Sequence, residues 1–252
     1  MKTNQSLFKA FQRSDDYFEL ISDPEFSRKY VIKQILFILL FTFIYGIVMG
    51  SYNGFQQSLV TGIKIPCLIF LSLLVCFPAL FVIQYMIGST MTIFQMSNII
   101  LSGFFVFSTI ALSFSPIVVF FMITGDNYAF LKLLHVAIFT FSGIFAVKTI
   151  VEGLKFSCEK KNIYPKLGMK IFNTWIFILA FVSSQLAWNL RPFVGNHDLP
   201  LELFRSRSSN FYVAVIQSAA SLIAPAKAAD TDKEDKTPAQ VSDTLKNRND
   251  RR

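Results

Sequence analysis

Between Gln34 and Leu131 the chain carries only two charged residues, Lys64 and Asp126. A run of 98 residues dominated by Phe, Ile, Leu and Val cannot form a water-facing surface. In hydrocarbon, an open strand leaves its backbone groups unpaired, whereas a helix satisfies its own. The runs are continuously apolar and lack the alternation of a barrel. The expected fold is therefore all-α: a polytopic transmembrane helical bundle. The 29 phenylalanines suit helix surfaces that face lipid.

A bilayer core requires about 20 apolar residues per helix. Five stretches qualify: Val31–Gly50, Ile65–Ile87, Ile93–Ile123, Tyr128–Val151 and Met169–Leu190. The second accommodates Pro66 in its first turn and Pro78 inside. The third would be roughly 46 Å long at about 1.5 Å per residue, longer than a hydrocarbon core of about 30 Å. It must tilt, protrude or break, and Pro116 is the expected break, because its ring removes a backbone donor and crowds the preceding turn.

The net charge of +8 is not a uniform basic field. Cations flank the apolar spans, the pattern that sets topology, rather than forming a face with base-reading groups, so nucleic acid is not an expected partner. Six Lys and Arg lie in the N-terminal segment through Lys33, and five lie between Lys155 and Lys170. The segments Ser51–Lys64 and Thr124–Lys132, read as loops, carry one each, and Gly88–Thr92 carries none. Five crossings gather eleven cations on one side against two on the other. The expectation is a bacterial inner (plasma) membrane protein with a cytoplasmic N-terminus and an extracytoplasmic C-terminus. Splitting the third span into two crossings would separate the basic blocks. The charged N-terminal segment does not read as a cleavable signal, so the first span is expected to be a retained anchor.

Four segments follow: a cytoplasmic stretch 1–30, a five-helix domain 31–190, an amphipathic extracytoplasmic segment 191–225 and a charged tail 226–252. The tail from Lys227 mixes seven cations with six acids and almost no apolar residues, the composition of a disordered segment. In Ser208–Ile223, Phe211, Val215, Ala219, Leu222 and Ile223 share one helical face. This is read as a surface helix with Arg205 and Arg207 near headgroups, or as a lid on the bundle. Ala224-Pro225-Ala226-Lys227-Ala228 also has the small-residue spacing of a cleavage site.

Leu190-Arg191-Pro192-Phe193-Val194-Gly195, then Leu201-Glu202-Leu203-Phe204-Arg205, then Asn210-Phe211-Tyr212, resembles the C-terminal part of a family of uncharacterised bacterial five-helix membrane proteins. The resemblance spans about residues 30–216 and implies a five-helix fold, with no activity or catalytic residue to carry over. A looser resemblance is to the Yip-type five-helix trafficking proteins, from which the chain departs by lacking an Asp-Leu-Tyr-Gly-Pro-like segment before its first span.

Candidate site residues are the polar groups within spans, since intramembrane ionisable groups mark function by default. His135 reads as a group titrating near neutrality or as an interfacial histidine. Lys148 and Glu152, four apart, share a helix face as a surface ion pair or a proton relay. Gln84, Gln95, Asn98, Asn173, Gln185 and Asn189 are either amides bonded between helices or the lining of a polar path. Gly46, Gly50 and Gly54 form a GxxxGxxxG run that permits close backbone approach, within the chain or between copies. Arg191, Phe193, Phe204, Arg205, Phe211 and Tyr212 are candidates for binding a partner.

Cys67, Cys76 and Cys158 form no CxxC or Cys/His cluster, so neither a metal site nor any other cofactor is expected. No P-loop, HExxH or GxSxG occurs. The expected function is a non-enzymatic scaffold or an assembly or trafficking partner, with lipid and a protein partner or a homo-oligomer as its contacts. The alternative is a small transporter or channel with a path lined by Gln84, Asn98, Asn173 and Gln185 around a kink at Pro116.

Overall fold

The computed structural model describes residues 15–22, 24–125, 128–160, 162, 166–190, 193 and 216. Seven α-helices are described: α1 Asp15–Ser22, α2 Pro24–Gly50, α3 Phe55–Met86, α4 Ile93–Ser113, α5 Ser115–Gly125, α6 Tyr128–Glu159 and α7 Lys166–Leu190. A short 3-10 turn, Ser51–Asn53, joins α2 to α3. Among the described residues there is no strand. Five segments are long and apolar enough to cross a membrane, with α4 and α5 together making the third. The fold is an all-α bundle, as the charge-free runs require. The bundle lies in the unit Met1–Arg205; of a second unit, Ser206–Arg252, only Ile216 is described. The amphipathic segment and tail, with Arg191, Phe204, Arg205, Phe211 and Tyr212, lie outside the described residues.

The helices pack in the order α7–α3–α2–α4–α6, with α2 central and only limited contact between α6 and α7. We call proximal the end at which α2, α4 and α7 begin, and distal the opposite end. Tyr45, Ile38, Leu80, Ile100 and Phe105 are fully covered in the core. α4 approaches α6 across Gly103, where an added Cβ would lie 2.4 Å from Ile150 Cγ1 and 2.8 Å from the Ala146 carbonyl.

Several boundaries differ from expectation, among them the start of α2 at Pro24 instead of Val31. α3 begins at Phe55 instead of Ile65, so most of the expected loop Ser51–Lys64 is helix. Gln57, Ser58, Thr61 and Lys64 read as a polar connection, but at helical spacing they form one buried face. Pro66 is accordingly internal to α3 rather than in its first turn. α6 runs on to Glu159, well past Val151. The third span does break, at Phe114, just before Pro116. Proline is tolerated in a helix's first turn, so the interruption falls ahead of the ring and α5 restarts with Pro116 as its second residue.

The N-terminal segment holds a further difference. α1 packs on α2, α4 and α6 at the proximal end. Tyr17 and Phe18 are buried, with the Phe18 ring 5.9 Å from that of Phe156. Phe18 fits because Gly153 lies beneath it: an added Cβ there would come within 3.0 Å of its ring. Each buried aromatic contributes about 1.5–3 kcal/mol. Lys160 and Asp15 form an exposed ion pair across the same junction, a minor addition.

Candidate functional site

The glycine run makes an intramolecular seam. A Cβ on Gly46 would meet the Thr61 carbonyl at 2.7 Å and Gly62 Cα at 2.8 Å; one on Gly50 would meet the Gln57 carbonyl at 2.6 Å and Ser58 Cα at 2.8 Å. Both contacts are with backbone, so α2 and α3 lie as close as two helices can. Gly54 has a separate role. It opens α3 with φ +98° and nothing near its Cβ position, so it serves the turn.

At the proximal end a hydrogen-bonded cluster joins α1, α2 and α4. Tyr17 Oη lies 2.6 Å from Ser102 Oγ, and Ser102 Oγ donates to the Asn98 carbonyl at 2.6 Å. Gln34 Nε2 donates to Ser102 Oγ at 2.8 Å, to Tyr17 Oη at 3.2 Å and to the Asn98 carbonyl at 3.4 Å. All four residues are buried. Burial pushes the Tyr17 phenol up to about 12, against the opposing effect of its bonds to Ser102 and Gln34. Asn98 was legible as a polar group in a span. Tyr17, Gln34 and Ser102 were not singled out, because a tyrosine in a charged segment and a serine in a span are both commonplace.

Toward the distal end, Tyr45 of α2 and His135 of α6 meet, with Tyr45 Oη 2.8 Å from His135 Nδ1 and the rings edge-on at 5.8 Å. His135 is 3% exposed, so it is a packed inter-helix group rather than an interfacial histidine. Further out, Thr61 Oγ1 and Gln57 Nε2 donate to the Phe193 carbonyl at 2.7 and 3.3 Å. The chain leaving α7 is thereby tied back to α3. Trp175 Nε1 donates to the Cys76 carbonyl at 2.8 Å and fixes α7 to α3 midway.

The path candidates do not converge. Gln84 and Asn98 are buried, whereas Asn173 and Gln185 are exposed on α7. Asn98 stands about 27 Å along the chain axis from Pro116, at ~1.5 Å per residue, and Pro116 itself is exposed. Gln84 is 1% exposed, with no hydrogen-bond partner on either side-chain amide atom. Lys148 is exposed, its ammonium 5.6 Å from the Phe145 ring centre, and Glu152 is half-buried. Among the described residues, no three His, Cys, Asp or Glu side chains group together.

α7 differs from the other spans. Asn173, Phe177, Phe181, Gln185 and Asn189 recur at every fourth position and are all exposed. Asn173 and Gln185 sit about 10 Å and about 7 Å inside the helix ends, at ~1.5 Å per residue. In hydrocarbon, an amide without a polar neighbour is costly. Amides within a membrane span commonly bond to a neighbouring helix.

Compared with protein-family models, curated proteins and solved structures, the chain matches none of them.

Proposed function

We propose that this is a non-enzymatic multi-pass membrane protein that assembles with a partner through α7. The proximal end, which carries both basic blocks, faces the cytoplasm of a bacterial cell in this reading. One observation carries it: the Tyr17–Gln34–Ser102 and Tyr45–His135 groups bond to one another inside the bundle, while Gln185 and Asn173 face outward from α7. The partner's chemistry follows: a transmembrane helix offering amide or hydroxyl groups. A scaffold needs such a surface and no continuous path. The transport reading needs its four amides on one path, and they divide between the core and the outer face of α7.

The test is a pull-down of the full chain in mild detergent, wild type against Gln185→Leu. An inter-helix amide contact is worth about 0.6–2 kcal/mol, so recovery of the partner should fall about threefold or more. Equal recovery of every co-purifying membrane protein contradicts the proposal.

A further inference from the structure

A cleft of about 420 Å³ lies between the proximal ends of α6 and α7. Val151, Lys155, Cys158 and Glu159 line it from α6, and Met169 and Asn173 from α7. We infer that this cleft holds the headgroup of an aminophospholipid, the phosphate against Lys155 and the primary ammonium against Glu159. This goes beyond the assembly role proposed above and does not depend on it.

The cleft combines apolar and charged side chains. Val151 and Met169 form an apolar wall for glycerol and upper acyl carbons. Lys155 and Glu159 are exposed and lie one and two turns nearer the end of α6 than Val151. They are four residues apart, so their Cβ atoms are about 5–6 Å from each other on one helix face. That spacing suits the two charges of one phosphoethanolamine group. Lys160, not Lys155, carries the ion pair to Asp15 at this end of the bundle.

The charge balance selects among lipids. One cation and one anion match a zwitterion. A purely anionic headgroup would meet Glu159 as a like charge. A quaternary choline group has no N–H to donate to a carboxylate, whereas a primary ammonium has three. Phosphatidylethanolamine is therefore favoured over both phosphatidylglycerol and phosphatidylcholine.

The test uses the full chain, purified from nanodiscs with equal amounts of the three lipids, and measures retained lipid by native mass spectrometry. Wild type should retain phosphatidylethanolamine about threefold over each of the others, the scale of one exposed ion pair. Glu159→Gln should keep bound phospholipid but lose the preference over phosphatidylcholine. Lys155→Gln should lower the retained lipid about threefold. Both side chains are exposed, so neither change opens the core, and an unaltered unfolding midpoint verifies it. Equal retention of the three lipids, or a preference unchanged in Glu159→Gln, overturns the inference. So does displacement of the lipid by water-soluble phosphoethanolamine at equal concentration, because the apolar wall would then contribute nothing.

Discussion

The α2–α3 seam and α7 are both apolar stretches of one bundle, yet they use their surfaces in opposite ways. Along the seam, Gly46 and Gly50 bring two backbones within van der Waals contact and leave no room for a methyl group. On α7, large residues occupy the fourth-position stripe, with Phe177 76% and Phe181 51% exposed. The seam is complete within one chain. α7 is held on one side by Trp175 and leaves its other side, amides included, uncovered. Small residues at fourth-position spacing therefore mark contacts the chain makes with itself. Aromatic residues and amides at the same spacing line the face of α7 that the chain leaves exposed.

The largest expected effect breaks the closed half of that comparison. Gly50→Val places two extra carbons where even a Cβ would sit 2.6 Å from a carbonyl oxygen. Forced overpacking costs about 1–3 kcal/mol, and backbone on both sides puts this site at the upper end. The unfolding midpoint in denaturing detergent should fall clearly. A midpoint equal to wild type would mean that the seam is looser than described.

Next is the proximal closure by α1. Tyr17→Phe removes one hydroxyl from the cluster while keeping the ring, and should weaken α1 docking by about 1–2 kcal/mol. Faster amide exchange over Asp15–Ser22, with the spans unchanged, would register it. The docked phenol titrates near 12, above its ordinary 10.0. Its contribution is therefore complete below about pH 10 and disappears as pH rises through about 12. Protection of α1 in wild type, measured relative to the intrinsic base-catalysed exchange rate at each pH, should fall across that window, and Tyr17→Phe should flatten the response. An equal loss of protection in both would place the titrating group elsewhere.

The smallest effect sharpens the comparison. Gly143 lies in α6 with nothing within 4 Å of its Cβ position. Gly143→Ala should change stability by no more than about 1 kcal/mol, the helix-propensity difference. A loss as large as that of Gly50→Val would show that glycine as such, rather than close approach, is what matters.

How much of this was legible depends on whether a signal was carried by one helix or shared by two. The five spans and the break near Pro116 come from composition and one residue's covalent geometry, and both were legible. The glycine run announced a close approach, but Thr61 and Gly62 of α3 had to be located before it could be placed inside the chain. The start of α3 was missed because Gln57, Ser58 and Thr61 are polar, and a sequence does not say whether polar residues meet water or the Phe193 carbonyl. α1 was missed for the converse reason: Tyr17 and Phe18 are surrounded by charges, and their burial depends on Ser102 and Gly153, more than 80 positions away. His135 was recognised as unusual, but its partner Tyr45 looks like any other aromatic in a span.

The most direct measurement is site-specific photocrosslinking in native membranes, with the reactive group at Phe181 on α7 or at Leu36 on α2. Both positions are exposed, at 51% and 65%. An open partner-binding face on α7 predicts that the Phe181 probe joins a transmembrane segment of another protein molecule, whereas the Leu36 probe joins lipid. Lipid adducts alone at both positions would contradict it.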